Sequence, residues 1–387
     1  MKRYGEWPDK GKRIFVGVDL HRIQWQVTVR TEEGEIFSGG IPGKWGCLEK
    51  LLDRYRGYQK QVVYEAGYFG FWLHDHLVEY GAECVVTPPS LVPVEYGNHV
   101  KTDRRDSRKL SHLLAKGLLK RVWVPTQEER CERQVIRRRR QLITDRVRTQ
   151  NRIKAELRFY GIEVATPEGR WSKEFVENLH RLQFNNRWMQ ESFERLLEEY
   201  HFLTQQIERQ TKVLRELAQT PRYRERMAIL RSVPGIGLIA AMELLLELQD
   251  VERFRRADQL AAYVGLTPSQ YSSAEKVRMG RITAIGKNSL RGTLVEVAWR
   301  LIGKDPAMRE KYERIRVRAG SKRAIIAIAR TTLLRTRRML LDHRAGLPID
   351  FLSSNYYTVC VADKCSPWKQ ATTMDISVPT RRAHTLA

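Results

Sequence analysis

The 387-residue sequence has little of what membrane proteins and small secreted proteins depend on. It has no long uncharged apolar run, so no transmembrane helix is predicted. It contains only five cysteines, scattered at Cys47, Cys84, Cys131, Cys360 and Cys365. Because the one close pair has no second pair of cysteines or histidines to match it, neither a disulfide framework nor a zinc site follows. We therefore expect a cytosolic protein.

The sequence is also poor in acidic residues. The chain has 45 Asp and Glu residues against 69 Lys and Arg residues, which leaves a formal net charge of +24. A surplus of positive charge on a folded surface attracts phosphate polymers, because their binding releases condensed counterions. We therefore expect nucleic acid, and not a membrane, as the partner. The sequence also has no Walker-type phosphate loop, so no ATP-driven step is predicted.

Three short β-rich runs, IFVGVDL, WQVTVRT and GEIFSGGI, begin just after Arg13. Charged or glycine-containing turns separate them, which predicts a β-meander. Strands then alternate with helices through QVVYEAG, FWLHDHLVEY and AECVVTPP. Three antiparallel strands followed by this alternation is the order of the RNase H-like fold. We predict an α/β domain of this class over residues 13–124, after an N-terminal extension of residues 1–12.

Four acidic residues stand at the ends of these predicted elements. Asp19 ends the first strand, Glu65 ends the fourth, and Asp103 and Asp106 lie three apart at the start of a helix. Asp19 and Glu65 follow apolar strand residues, where an unpaired carboxylate is costly. By themselves, Asp103 and Asp106 are better explained by simple helix capping. Together the four carboxylates predict a site for Mg²⁺, because hard cations take oxygen ligands and paired metals assist phosphoryl chemistry.

After Pro125 the sequence shows long helical patterns and no strand signal. An apolar stripe is predicted in the first of them, made of Ile136, Ile143, Val147, Ile153 and Leu157. The opposite face is almost entirely positive, which predicts a surface that follows phosphates, centred on Arg137, Arg138, Arg139 and Arg140. A second helical run, residues 171–217, is more evenly charged. We predict a helical or coiled-coil arm for assembly over residues 125–220.

The run LRSVPGIGLIAAMELLLEL places a Pro-Gly-Ile-Gly turn between two helical segments. Such a turn resembles a helix-hairpin-helix, in which Gly235 and Gly237 would expose backbone N–H groups to a phosphate. The segment GLTPSQYSSAEKVRMGRITAIGKNSLR follows. Its two serines, Ser272 and Ser273, precede a predicted phosphate clamp of Lys276, Arg278, Arg281, Lys287 and Arg291. We predict a mainly α domain over residues 221–345, and we assign no role to residues 346–387.

The acidic set, in its VGVDL, VVYEAG and KTDRRD contexts, resembles the DEDD domain of the insertion-sequence 110 family of transposases, which is similar to RuvC-type Holliday-junction resolvases. The VPGIG turn and the serine segment resemble that family's second, transposase domain. The resemblance runs from about Arg13 to about Arg344. It implies that Asp19, Glu65, Asp103 and Asp106 bind Mg²⁺ and that Ser273 is the nucleophile. Ala274 stands where the family usually has glycine, so Ser272 remains an alternative nucleophile.

The resemblance also implies a mechanism and partners. A transient 5′-phosphoserine bond to DNA would form in a tetramer built from dimers, with active sites composed of the acidic domain of one subunit and the serine domain of another. A structured guide RNA would select the DNA, in the cytoplasm and nucleoid of a prokaryotic cell. Two other classes stay open at this point. One is a hydrolytic RuvC-like resolvase or nuclease, and the other is a non-catalytic nucleic-acid scaffold.

Overall fold

The chain divides between Thr126 and Gln127 into two units. The computed structural model describes residues 12–93, 103–164, 171–273, 276–283 and 285–343. The predicted tail of residues 346–387 and all but the last residue of the predicted N-terminal extension lie outside these ranges.

The first unit is built on a five-stranded mixed sheet. Its strands are β1 (Arg13–Asp19), β2 (Gln24–Arg30), β3 (Glu35–Pro42), β4 (Gln59–Glu65) and β5 (Glu83–Thr87), in the order β3-β2-β1-β4-β5. β1, β2 and β3 are antiparallel neighbours, and β4 and β5 run parallel to β1. Its helices are α1 (Trp45–Asp53), α2 (Trp72–Glu79) and α3 (Asp103–Ala115). This topology confirms the predicted meander and the alternation after it.

The sheet separates two apolar layers because alternate strand residues face opposite sides. One layer joins Ile14, Val16 and Val18 of β1 to buried leucines of α1 and α2, and it contains Trp25, which is fully buried. The other layer joins Phe15 of β1, with buried valines of β4 and β5, to Leu110 and its neighbours on α3. Helix α3 therefore packs on this face of the sheet.

Helix α3 approaches β1 closely at Gly17. A Cβ atom on Gly17 would lie 2.2 Å from the Ser107 carbonyl oxygen and 2.6 Å from the Ser111 nitrogen. Thr28, which pairs with Gly17 across the β1–β2 ladder, has its hydroxyl oxygen 2.9 Å from that of Ser107. Only glycine leaves room for the helix backbone at this crossing.

The second unit is mainly helical. It contains α4 (Gln127–Phe159), α5 (Lys173–His180), α6 (Arg187–Gln219), α7 (Pro221–Arg231), α8 (Leu238–Leu248), α9 (Ala257–Val264), α10 (Asn288–Ile302), α11 (Pro306–Ala319) and α12 (Ser321–Leu341). It also contains an antiparallel hairpin of β6 (Pro268–Ser273) and β7 (Lys276–Ile282). The prediction of no strand after Pro125 was therefore wrong. Polar and basic residues hide the strand pattern here, because PSQYSS has almost no apolar residue.

Helices α4 and α6 are each 33 residues long and pack against each other. The predicted stripe on α4 is wrong at Val147, which is 44% exposed, while Leu142 and Thr149 are buried. Thr149 can be buried because its hydroxyl donates to a Glu199 carboxylate oxygen at 2.8 Å, a partner that hydrophobicity alone does not reveal. Among the described helices, none combines the length and the apolar character needed to cross a membrane.

We expect Gly17→Ala to destabilise the first unit by about 1–3 kcal/mol, because the added methyl group must push α3 away from β1. Gly46→Ala is the matched control, since Gly46 lies in α1 with nothing within 4 Å of its Cβ position. The control should gain a few tenths of a kcal/mol to about 1 kcal/mol from helix propensity. Hydrogen exchange of the α3 amides, with thermal unfolding, measures both effects. Unchanged α3 protection in Gly17→Ala would contradict the close crossing.

Candidate active site and nucleic-acid interface

Two of the predicted metal ligands stand side by side at one edge of the sheet. Val18 of β1 lies opposite Tyr64 of β4 in a parallel pair, and the next residue in each strand is a carboxylate, Asp19 and Glu65. Parallel neighbours lie roughly 4.8 Å apart. The Asp19 side chain is 19% exposed, and its Oδ2 lies 3.5 Å from His21 Nδ1. Glu65 is half-buried.

Helix α3 begins at the same edge. Its Ser107 meets the sheet at Gly17 and Thr28, whereas His112, five residues later, meets Arg30 at 2.9 Å, and Arg30 lies opposite Phe15. The helix therefore runs antiparallel to β1. Four helical residues back from Ser107 span about 6 Å, and two strand residues from Gly17 to Asp19 span about 7 Å. The backbone of Asp103 is thus level with Asp19.

The donor chemistry of this edge fits a hard divalent cation. Asp19, Glu65 and the half-buried Asp106 offer only carboxylate oxygens, and His21 lies beside Asp19. Within the described side chains, which do not include that of Asp103, no three acidic, cysteine or histidine groups converge on one point. The described backbone places Asp19 and Glu65 at neighbouring strand ends and the start of α3 level with Asp19.

The predicted nucleophile lies at the far end of the β6–β7 hairpin. Ser273 ends β6 opposite Lys276, and Ser272 lies opposite Val277. The side chains of residues 271–279, including those of Lys276 and Arg278, lie outside the described part of the structure. Both serines thus occupy strand backbone beside a two-residue connection, so either can be presented at the hairpin tip.

The base of the hairpin is fixed by Arg291. Its Nη1 donates to the carbonyl oxygens of Gly265 at 3.3 Å and Thr283 at 3.1 Å. Gly286, at φ +124°, packs against the backbone of Gly265, and a Cβ atom on Gly286 would be 2.6 Å from the Gly265 nitrogen. The prediction of Arg291 as part of a phosphate clamp is therefore corrected: its guanidinium group braces the segments that flank the hairpin.

A buried acidic pair binds three of the predicted basic residues. Glu243 and Glu247, 3% and 2% exposed, lie on the otherwise apolar helix α8. Arg137 binds Glu247 through two hydrogen bonds of 2.8 and 3.0 Å, and Arg140 pairs with Glu243. Lys287 Nζ lies 3.5 Å from Glu247. Arg137, Arg140 and Lys287 are therefore corrected from phosphate ligands to internal ion-pair partners.

The other two arginines of the predicted basic surface do not pair with the buried glutamates. Arg139 donates from Nε to the Thr211 hydroxyl of α6 at 2.8 Å and joins the two long helices. Arg138 is exposed on α4. The four consecutive arginines are thus not one solvated face, because three of them turn toward α6 or α8.

The charge of Glu247 is held by its partners. Burial by itself would raise the pKa of this carboxyl, but the hydrogen bond from Arg137 and the charges of Lys287, Arg137 and Arg133 bring it below its ordinary value. Burial lowers the pKa of the Arg133 guanidinium, and Glu247 opposes that shift. Glu247 is therefore ionised at neutral pH beside its basic partners.

Sequence reasoning missed Glu243 and Glu247. Their signal was present as two glutamates four residues apart in LIAAMELLLEL, which places both on one face of an apolar helix. Arg133, Arg137 and Arg140 repeat at the same helical spacing on α4. Matching the two patterns would have predicted the pairing of α4 with α8.

The predicted glycine turn lies between α7 and α8. Gly235 has φ +92°, and a Cβ atom there would lie 3.1 Å from the Arg300 Cβ and 3.2 Å from the Val297 carbonyl oxygen of α10. Gly237 precedes α8 and is exposed. The turn therefore packs on α10 while the start of α8 reaches the surface.

Comparisons with known proteins give two family matches, one that begins in the first unit and one within the second. Residues 16–162 match the DEDD transposase domain of the IS110 type, and residues 227–313 match the transposase family IS116/IS110/IS902. A Sinorhizobium fredii protein, y4qE, whose name assigns it to the transposases, is 29% identical over 85% of this chain and 82% of its own length.

Two further relatives carry insertion-sequence names. The transposase for insertion sequence element IS1533 of Leptospira borgpetersenii is 26% identical over 62% of this chain and 70% of its own length. The transposase for insertion sequence element IS1111A of Coxiella burnetii is 26% identical over 63% of this chain and 67% of its own length.

The mixed sheet with carboxylates at one edge and the DEDD match define a transposase whose first unit has an RNase H-like fold. The second match and the relatives support a more specific assignment. The chain is an insertion-sequence transposase of the IS110 family.

We expect Glu247→Gln to lower the free energy of unfolding at pH 7 by about 3 kcal/mol, because it leaves Arg133 and Arg137 partly buried without a counter-charge. The folded pKa of Glu247 lies below its ordinary value of 4.5, so its contribution is complete above that pH and is lost as the pH falls through the lower folded value. The difference between wild type and Glu247→Gln should therefore narrow below pH 4.5.

Denaturant unfolding between pH 3 and 8 measures this difference. Glu198→Gln is the control, because Glu198 pairs with Arg195 at 2.7 Å but is 63% exposed. It should change stability by no more than about 1 kcal/mol. Equal losses in the two variants would contradict a buried cluster at Glu247.

Proposed function

We propose that the chain cuts and rejoins DNA by transesterification, with Ser273 as the nucleophile and with Mg²⁺ held by Asp19, Glu65, Asp103 and Asp106. The observation that carries the proposal is the shared edge at which β1 and β4 end in carboxylates and α3 begins. Four carboxylates from three elements suit the binding of a divalent cation that stabilises charge on a phosphate.

The reaction proceeds in two transesterification steps. The Ser273 hydroxyl oxygen attacks the scissile phosphorus and loses its proton, while the bond from phosphorus to the 3′ oxygen breaks and that oxygen leaves with a proton. The DNA is then joined to serine through its 5′ phosphate. In the second step, the 3′ hydroxyl group of another strand attacks the same phosphorus and releases serine. The number of phosphoester bonds is unchanged, so no external energy source is needed.

The nucleic-acid interface of this proposal is narrower than the sequence predicts. It keeps the exposed Arg138 and Arg281, the glycine turn at Gly235 and Gly237, and Lys276 and Arg278 of β7. It omits Arg137, Arg140, Lys287 and Arg291, whose charged groups have internal partners. Exposed guanidinium and ammonium groups are the ones that can release counterions from DNA.

We further propose that the active protein is a tetramer of two dimers, in which the acidic unit of one subunit and the serine hairpin of another act on one phosphate. The long α4 and α6 arm supports assembly of this kind, because its surface carries exposed Trp188 and Phe202. A structured RNA would choose the DNA sequence, which suits a protein whose charge favours backbone contacts. Sequencing of the RNA that co-purifies with the full chain tests this part: one discrete structured species supports it, and only fragments of bulk RNA contradict it.

We expect Asp19→Asn and Glu65→Gln each to reduce DNA strand transfer by roughly 10²–10³-fold, since each removes charge from the proposed metal site. DNA affinity should stay within about two-fold, because no cationic contact is lost. Glu79→Gln is the matched control in the same unit, since Glu79 is exposed on α2. Full activity of either edge variant in Mg²⁺ would remove the acidic edge from the mechanism.

We expect Ser273→Ala to abolish both recombinant product and the covalent protein–DNA adduct, because it removes the attacking oxygen. Labelled DNA is trapped under denaturing conditions and the modified peptide is identified by mass spectrometry. Ser272→Ala is the control and should keep the adduct. An adduct on Ser272 would move the nucleophile by one residue, and cleavage without any adduct would favour a hydrolytic nuclease.

A further inference from the structure

A cleft of about 1010 Å³ opens beside the base of the serine hairpin. It lies between the hairpin strands, helix α10 and the first half of α12. One wall is formed by Pro268 of β6 and Gly280 to Ile282 of β7, and the opposite wall by residues 321–330 of α12. We call it the Trp299 cleft, after the aromatic side chain of α10 that lines it.

The inner surface of the Trp299 cleft is apolar and presents an aromatic ring. Trp299 is 46% exposed, and its ring is held edge-on by Tyr312, with ring centroids 5.8 Å apart and an interplanar angle of 62°. Tyr312 is itself buried, which fixes the Trp299 ring in place. Ile282, Ile325 and Ile326 line the cleft around it. An open indole among aliphatic side chains is a platform on which a flat nucleobase stacks.

The rim of the Trp299 cleft is positive. Arg281 of β7 and Lys322 and Arg323 of the first turn of α12 are exposed, and Arg330 lies about two turns farther along the helix on the same side. None of the described lining residues carries a carboxylate. The first turn of α12 also presents backbone N–H groups that have no partner within the helix, a feature that favours anions. The rim therefore suits phosphate groups.

We propose that the Trp299 cleft binds an unpaired nucleotide of the DNA strand that the serine hairpin cuts. Its base would stack on Trp299, and its flanking phosphates would contact Arg281, Lys322 and Arg323. This inference rests on the proposed function only in placing DNA at the hairpin. Five strand residues separate the cleft at Pro268 from Ser273, or about 17 Å. The bound nucleotide is therefore a few positions from the scissile phosphate.

The charge of the rim favours this occupant over an apolar segment of a protein. Burying a hydrophobic segment in the cleft would leave the cations of the rim partly desolvated without counter-charge, which is costly. A single-stranded nucleotide supplies both a flat apolar surface and negatively charged phosphates. Duplex DNA supplies the charge but not a free base face, so duplex should bind the cleft poorly.

The test uses the full-length Ser273→Ala chain, so that no covalent step contributes to binding. A single-stranded DNA oligonucleotide carrying 5-iododeoxyuridine is bound, irradiated and mapped by mass spectrometry. We expect a crosslink in the Trp299 peptide. Trp299→Ala should weaken single-strand binding about ten-fold, in the range measured for loss of one stacked base, while Trp299→Phe keeps most of it. Tyr160→Ala, at an exposed aromatic residue just after α4, is the matched control and should bind as the parent does.

Arg323→Ala provides a second measurement that does not disturb the packing of Trp299 on Tyr312. It should reduce the slope of log affinity against log salt by about 0.7 for single strands, the value expected for one lost phosphate contact. Crosslinks confined to other peptides, or unchanged binding in both Trp299→Ala and Arg323→Ala, would overturn the proposal. A crosslink and a loss of affinity seen with RNA of the same sequence but not with the DNA strand would make RNA the occupant and would also overturn the proposal.

The two proposals can fail separately. Loss of single-strand binding in Trp299→Ala, together with no serine adduct in the active chain, would leave the cleft standing and remove the nucleophile. A Ser273 adduct that forms normally in Trp299→Ala, with unchanged single-strand affinity, would remove the cleft proposal and keep Ser273 as the nucleophile.

Discussion

The second unit depends on two carboxylates that the fold has taken out of water. Glu243 and Glu247 are almost fully buried on α8, and arginines of α4 reach them from a helix more than 100 residues earlier in the chain. A buried charge is tolerated only when it is paired and hydrogen-bonded. This requirement fixes both the rotation and the axial position of α4 against α8, more tightly than apolar contacts alone would.

The same cluster extends toward the serine hairpin. The Thr293 hydroxyl of α10 donates to Glu243 at 2.7 Å, and Lys287, just before α10, lies beside Glu247. Four residues after Lys287, Arg291 holds the carbonyl groups of Gly265 and Thr283 on either side of the hairpin. A continuous set of polar contacts thus leads from the long arm helix to the base of β6 and β7. These contacts fix the base of the hairpin that carries Ser272 and Ser273.

The sequence was most informative where local pattern decides structure. Alternating apolar runs predicted the meander, and apolar strands that end in Asp19 and Glu65 predicted the acidic edge, because strand order alone brings adjacent ends together. It was least informative where a residue's role depends on a distant partner. Arg137 and Arg140 resemble a DNA-binding surface until Glu247 and Glu243 are found opposite them.

The structures of the hairpin and the arm also depend on partners that the local sequence does not reveal. PSQYSS carries no hydrophobic alternation, so its strand structure comes from pairing with β7 and not from its own composition. Val147 is exposed and Thr149 is buried, the opposite of what hydropathy predicts, because Glu199 accepts a hydrogen bond from the threonine hydroxyl. The placement of α3 was predictable only in part: its acidic start is visible in the sequence, but its crossing at Gly17 is a tertiary contact.

The central proposal is that the acidic edge of one subunit and the serine of another act on one phosphate. It is tested most directly by measuring the yield of the covalent Ser273–DNA adduct in the Asp19→Asn chain, in which the serine and the hairpin are untouched. The account predicts that this yield falls to background while the chain still binds DNA. An adduct formed at the wild-type rate would show that the serine works without the carboxylates, and would contradict a joint active site.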